Sequence, residues 1–220
     1  MAEPDRTAAR LRVSELFFSL QGEASRVGLP TVFVRLTGCP LRCTYCDTDY
    51  AFQGGHWMTI EAILTQVRAH PTRHVTVTGG EPLAQPGCLE LLTRLCDAGH
   101  DVSLETSGAL DIAAVDDRVA RIVDVKTPGS GECARNLWRN LDCLGPRDEV
   151  KFVLTDEADY RWASDVLVRH RLHQRCVVLF SPAWQALDAG HLADWILRDG
   201  LPVRMQVQLH KLLWQDARGR

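Results

Sequence analysis

The chain has 220 residues, enough to bury one sizeable hydrophobic core and too few for two full domains. Apolar residues at 45% and charged residues at 24% exclude a disordered or low-complexity class. A net charge of −3 argues against a general polyanion binder, because neutralising phosphates takes a clustered basic surface; a small molecule is the better partner and no nucleic acid is expected.

In chain order, the opening "MAEPDRTAAR" lacks the apolar stretch of a signal peptide, and no segment approaches the ~18 consecutive apolar residues of a membrane span. The protein is therefore expected in the cytoplasm with no membrane partner, as a single domain over 1–220 with residues 1–12 as a flexible N-terminal tail. "LFFSLQGE" (16–23) reads as an outer strand or as a loop folded over the mouth of a barrel. Short β-branched runs then recur at 31–36, 74–79, 101–106, 121–126, 149–155, 176–182 and 202–208, each a candidate buried strand. Helical spacing separates them. Ile60, Ile63, Leu64 and Val67 follow a Thr59 N-cap, Leu91, Leu92, Leu95 and Cys96 repeat the pattern, and 158–170 and 187–198 do the same. Strands alternating with helices give a parallel sheet with right-handed crossovers, and about six units fit, fewer than the eight of a closed barrel. The predicted fold is α/β: an incomplete (β/α)6-type TIM-like barrel with room for an extra N-terminal strand.

In such a fold the C-terminal strand ends share one rim, where chemistry gathers. Four successive ends carry Gly, Ser, Thr and charged residues that packing does not call for: "CPLRC" (39–43), "TGGEP" (78–82), "ETSG" (105–108) and "KTPGSGE" (126–132). The first belongs to "GCPLRCTYCDTDY", which sets Cys39, Cys43 and Cys46 within eight positions. In a reducing compartment such a cluster reads as metal ligation or catalysis, not as disulfide bonding. Thiolates suit zinc, copper(I) and iron–sulfur clusters, yet three are one short of a closed site, and the nearest further ligand is His56. The other five cysteines form no second motif. Cys88 and Cys96 lie ~12 Å apart by helical rise, too far for a disulfide, and Cys133, Cys143 and Cys176 read as buried or incidental thiols.

A CxxxCxxC loop after the first strand of an incomplete α/β barrel resembles the radical S-adenosylmethionine superfamily. The resemblance implies a 4Fe-4S cluster on Cys39, Cys43 and Cys46 whose fourth iron is left for S-adenosylmethionine. Reduction then splits that cofactor into methionine and a 5′-deoxyadenosyl radical, so no side chain is itself assigned as catalytic and the protein supplies orientation and exclusion of water. The same resemblance implies cofactor contacts from Tyr45 near the adenine, from Gly79 and Gly80 by close backbone approach, and from Glu81 to the ammonium. Ser107, Asp124 and Lys126 at later strand ends, with Asp47, complete that set.

"FFSLQGEASRVGLPTVFVRLTGCPLRCTYCDTDYAF" narrows the resemblance to the 7-carboxy-7-deazaguanine synthases, and the match continues through "TGGEP", "ETSG", "DVKTPGSG" and "VQLHK" over most of the chain. That family implies a lyase converting 6-carboxy-5,6,7,8-tetrahydropterin to 7-carboxy-7-deazaguanine by radical-initiated ring contraction with loss of ammonia, in queuosine and 7-deazapurine biosynthesis. Leu20, Gln21, Gly22 and Glu23 would read the pterin edge, Arg35 would hold its carboxylate, and Thr78 would also touch it. Thr48 would give a hard oxygen to a hydrated Mg2+. The family further implies a homodimer and a reductase such as flavodoxin as electron donor. Two features depart from the pattern. The usual "QGEG" is "QGEA", so Ala24 is expected to avoid a positive φ unless strain is tolerated there. The chain also runs on through "LHKLLWQDARGR", so no C-terminal ligand is assigned, and His210 and Lys211 are expected at the bottom or edge of the barrel without catalytic roles. Two rival classes share parts of the pattern: a glycyl-radical activase, which needs the cysteines and glycines but not "SLQGE" or "CDTDY", and a non-enzymatic zinc or iron–sulfur module.

Overall fold

The computed structural model describes residues 9–215 and 217–220. Seven parallel strands carry the fold: β2 (Pro30–Leu36), β4 (His74–Gly79), β5 (Asp101–Thr106), β6 (Ala120–Asp124), β7 (Glu149–Leu154), β8 (Val177–Pro182) and the two-residue β9 (Arg204–Met205). β1 (Arg10–Leu20) lies antiparallel to β2, and β3 (His56–Thr59) antiparallel to β1. The sheet order is β3-β1-β2-β4-β5-β6-β7-β8-β9. Among the described residues its two ends do not pair with each other, which leaves the barrel open, as the strand count requires. Of the segment 16–23, residues 16–20 belong to β1, an added antiparallel strand that starts earlier than expected, and 21–23 form the turn after it. Arg10, Leu11 and Arg12 pair with Thr59, Met58 and Trp57, so the tail expected over 1–12 is strand at its end, while 1–8 lie outside the described residues.

Helices α1 (Ile60–Arg68), α2 (Cys88–Asp97), α3 (Glu157–Arg169) and α4 (Ala189–Asp199) link parallel strands, and α5 (Leu209–Trp214) follows β9. The starts of α1, α3 and α4 follow from side-chain caps: Thr59, Asp156 and Asp188 accept the backbone N–H three residues on, at Ala62, Asp159 and His191. Two of the strand connections, for which the sequence singles out no helical segment, carry no α-helix. Between β5 and β6, the Asp111 and Asp116 carboxylates take the N–H groups of Ala113 and Arg118, turns that compete with a helix. Between β6 and β7, Pro128, Gly129, Gly131, Gly145 and Pro146 permit only 3-10 turns. The strand expected over 202–208 shrinks to Arg204–Met205.

Alternation along the strands decides where the site lies. Val75 and Val77 of β4, Val102 and Leu104 of β5, and Val150, Phe152 and Leu154 of β7 join Leu64, Leu92 and Leu167 in the main core under the helices. Each such fully buried side chain contributes about 1.5–3 kcal/mol. The residues between them, Thr76, Thr78, Ser103, Glu105 and Lys151, turn inward and bond to one another or to β1's end. A parallel sheet covered on both faces is usually apolar throughout. Here its inner face is polar because it surrounds a cavity.

Candidate active site

A cavity of about 240 Å³ opens at the C-terminal ends of the parallel strands. Its floor on one side is the loop after β2. Gly38 donates its N–H to Ala51 and accepts from Glu81 N–H, both at 2.8 Å, which ties the loop to the 3-10 turn Asp49–Phe52 and to the end of β4. Thr44 is held by Ser130 and Gly129 carbonyls, and Arg42 N–H donates to Glu132 at 2.6 Å. The three thiols, Cys39, Cys43 and Cys46, all line the cavity and are free. Burial pushes each thiol up, and the Lys126 ammonium pulls each the other way, toward the thiolate a metal needs. Among the described residues no three His, Cys, Asp or Glu side chains converge on one ion. Thiols on separate irons of a cluster need no such convergence. His56, the nearest fourth ligand for zinc, is exposed at the start of β3 and does not line the cavity.

Gly79 and Gly80 are required by packing against this loop. A Cβ on Gly79 would stand 2.2 Å from the Leu36 carbonyl oxygen, and one on Gly80 2.6 Å from the Cys39 Cβ. Glu81 corrects the sequence reading. Its buried carboxylate accepts from Thr106 Oγ1, Ser107 N–H and Oγ, and Leu83 N–H, at 2.5–3.0 Å. It therefore joins β4 to β5 and does not line the cavity, so it is not placed to face a cofactor ammonium. Ser107, Tyr45, Asp124 and Lys126 do line it. Lys126 Nζ lies 3.0 Å from Asp124 Oδ2 and 5.9 Å from the Tyr45 ring centre, while Asn136 clamps the Lys126 backbone through N–H and carbonyl. Burial works against the Lys126 charge more than any single neighbour favours it, but Asp124 together with the Tyr45 and Cys43 side chains outweighs it, and the ammonium is held above its ordinary range. Two buried polar atoms of these residues, the Tyr45 hydroxyl and Asp124 Oδ1, have no partner among the described residues. Three free thiols beside a glycine-packed rim and unsatisfied polar atoms fit a cluster with a polar adduct on it.

The opposite wall comes from β1 and its turn. Gln21 donates to Thr76 at 3.1 Å and Glu105 at 3.3 Å, and its own oxygen accepts Glu23 N–H at 3.2 Å. Glu23 lies 2.6 Å from Lys151 Nζ, and Asp124 Oδ2 lies 3.6 Å from the same nitrogen. Although burial opposes it, Lys151 holds Glu23 below the usual carboxylate range. Glu105 goes the other way: burial and then the Glu23 charge push it up, with Lys151 opposing. Arg35 donates through Nε to Glu15 at 2.7 Å, and Glu15 also accepts the Tyr50 hydroxyl at 2.7 Å. Thr48 donates to Asp47 at 2.8 Å, and that bond with the ammonium groups of Lys211 and Lys151 holds the rim carboxylate of Asp47 below its usual range, against partial desolvation.

Of the residues singled out from sequence, Leu20, Gln21, Gly22, Glu23, Arg35, Thr78, Tyr45, Asp47, Thr48, Gly79, Gly80, Ser107, Asp124, Lys126 and the three cysteines line this one cavity. His210 is a second correction. It lines the cavity and packs on Gly22, because Leu209 N–H bonds the Gly22 carbonyl at 3.0 Å and so folds α5 back to the mouth. Ala24 has φ 63°, the conformation its side chain disfavours. Sequence reasoning missed Phe17, Phe33, Glu105, Lys151, Trp184 and Gln208. The signal available for Lys151 was a lone cation inside the apolar run "EVKFVL".

An open parallel barrel with three rim thiols on the loop after its first parallel strand defines a radical S-adenosylmethionine protein, and the Radical SAM superfamily model matches residues 33–128. The 7-carboxy-7-deazaguanine synthase of Chlorobaculum tepidum is 48% identical over 97% of this chain and 99% of its own, and that of Koribacter versatilis is 43% identical over 93% and 97%. The crystal structure of QueE from Escherichia coli has the same fold, with TM-score 0.76 at 23% identity over 91% of this chain and 95% of that one. The chain belongs to the 7-carboxy-7-deazaguanine synthase family.

Proposed function

We propose that this protein is a carbon–nitrogen lyase that converts 6-carboxy-5,6,7,8-tetrahydropterin to 7-carboxy-7-deazaguanine with loss of ammonia, on the way to queuosine and other 7-deazapurines. One observation carries the reading: the three-thiol loop and the Gln21–Glu23 segment share a single cavity. A 4Fe-4S cluster on Cys39, Cys43 and Cys46, with S-adenosylmethionine, supplies reductive C–S cleavage and hydrogen abstraction when bound. The chain does the rest. Arg35, fixed through Nε by Glu15, keeps its terminal nitrogens for the substrate carboxylate. Gln21 and the ionised Glu23 read the donor–acceptor edge of the ring with the Leu20 and Gly22 backbone and Thr78, while Glu105, whose two oxygens accept from Gln21 and Thr78, holds those readers in place. Phe17 and Phe33, stacked 4.9 Å apart, give the flat ring an apolar wall.

Tyr45, Asp47, Gly79, Gly80, Ser107, Asp124 and Lys126 hold the cofactor in this scheme. Thr48, with Asp47 beside it, holds a hydrated Mg2+ against the substrate, since such an ion needs only one or two protein oxygens. The protein works as a single-domain homodimer in the cytoplasm and takes electrons from a reductase such as flavodoxin. No helix among the described residues is long and apolar enough to cross a membrane. A glycyl-radical activase would have no use for the Gln21–Glu23 wall. The test is anaerobic turnover of reduced protein with S-adenosylmethionine, magnesium and the carboxypterin, with product identified by mass. A deazapurine and ammonia are expected. Cofactor cleavage without a deazapurine overturns the substrate, and no cleavage at all overturns the chemistry.

A further inference from the structure

Ala24 is 3% exposed and sits at φ 63°, a left-handed conformation that a Cβ makes costly. The Gln206 side chain meets it at both backbone groups. Its Oε1 accepts the Ala24 N–H at 2.8 Å and its Nε2 donates to the Ala24 carbonyl at 3.1 Å. Two bonds to one residue fix its φ and ψ together. The next residue back, Glu23, then reaches Lys151 Nζ at 2.6 Å and Gln208 Nε2 at 2.7 Å, and Gly22 accepts Leu209 N–H. Three ties thus run from residues 206–209 to 22–24, and among the described residues lining the cavity neither Ala24 nor Gln206 is found.

We infer that Gln206 is a positioning residue, which holds Ala24 in the left-handed conformation so that Glu23 presents its carboxylate to the substrate. The identity of that substrate rests on the lyase reading. A glycine at position 24 needs no clamp, so Ala24→Gly should make Gln206 dispensable, a result that loss of general packing would not give.

The full chain, loaded with its cluster, is compared as wild type, Gln206→Ala, Gln206→Asn, Ala24→Gly and the double variants. Gln206→Ala is expected to raise KM for the carboxypterin about tenfold, the order of the population cost of left-handed alanine, with kcat changed less than about twofold. Gln206→Asn stays polar but is too short to reach both groups, and should act alike. Adding Ala24→Gly should return KM to within about twofold of wild type. In a Glu23→Gln background, Gln206→Ala should alter KM no further. Amide hydrogen exchange at residues 21–23, 25 and 26 of substrate-free protein gives a second readout, the residue-24 N–H being set aside because it loses its acceptor in every Gln206 variant: faster in Gln206→Ala, restored by Ala24→Gly. An unrestored KM with unrestored exchange, or an undiminished Gln206 effect in the Glu23→Gln background, overturns the inference. If the wild type makes no deazapurine, the lyase reading fails, and exchange alone decides the clamp.

Discussion

At the scale of single residues, Arg35 shows how a charge becomes a specific reader. A lone guanidinium in the wall would sample many directions. Glu15 takes its Nε, and Tyr50 takes up a further lone pair of the same carboxylate oxygen, so the fork is fixed before any ligand arrives. Arg35→Ala is expected to weaken carboxypterin binding about hundredfold, and Glu15→Gln about tenfold, in line with ~1.5–3 kcal/mol for a charge-assisted hydrogen bond. Iron and sulfide content should stay at the wild-type level in both. Calorimetric titration checks the first claim, and unchanged affinity in Arg35→Ala removes the residue from the site. The cysteines divide as sharply. Cys43 lines the cavity, whereas Cys88 is fully buried at the start of α2, where burial and then Glu81 push its thiol up to about 12. Cys43→Ala should lose the cluster and Cys88→Ala should keep it; equal iron content in the two would refute the division. The motif cysteines, Gln21 and Arg35 were legible in the sequence because each sits in a dense local pattern. Glu81 differs from the sequence reading because sequence cannot tell that Thr106 and Ser107, twenty-five and twenty-six residues on, claim its oxygens.

At the scale of elements, the end of β4 and the cluster loop act as one packed unit. Gly80 N–H bonds the Leu36 carbonyl and Glu81 N–H bonds the Gly38 carbonyl, so the strand end and the loop touch along their backbones. A methyl group at Gly80 would collide with the Gly38 carbonyl oxygen at 2.5 Å, backbone that cannot swing away. Gly80→Ala is expected to cost about 1–3 kcal/mol and to lower iron content, because Cys39 must move with the loop. Gly145→Ala is the control: a Cβ there meets nothing within 4 Å. Thermal melting with iron analysis checks both, and equal melting temperatures would sink the packing argument. The parallel strands could be read from β-branched runs, since each must bury a face under a helix. β3 could not be. "HWMT" has four residues and no buried alternation, and it is strand only because β1 offers an edge.

At the scale of the whole molecule, the cavity draws on residues from Phe17 to Arg220. Such an assembly is only partly legible, because which inward residues meet depends on register across seven strands. Lys151 faces Glu23 from 128 positions away, and no local pattern announces the pair. The three tyrosines report on the integrity of this assembly. Burial and then Asp124 hold the Tyr45 hydroxyl well above its ordinary range. Burial, with the bond to Glu15 and against Arg35, pushes Tyr50 up to about 12. Burial and the bond to Asp199 push Tyr160 up to about 12. All three shifts have one sign. The folded chain binds these protons more tightly than the unfolded chain, whose phenols titrate near ~10. The resulting stability is complete below pH ~10 and is lost as pH rises through 12. Tyrosinate absorbance should therefore be nearly absent from the folded protein at pH ~10 and should appear together with loss of near-ultraviolet circular dichroism, whereas chain unfolded in guanidinium should titrate with an ordinary midpoint near ~10. A gradual titration of the folded protein centred near ~10, ahead of any unfolding, would mean that the hydroxyls meet water and that the packing around Tyr45 in the cavity wall and around the Tyr50–Glu15 bond is not as described.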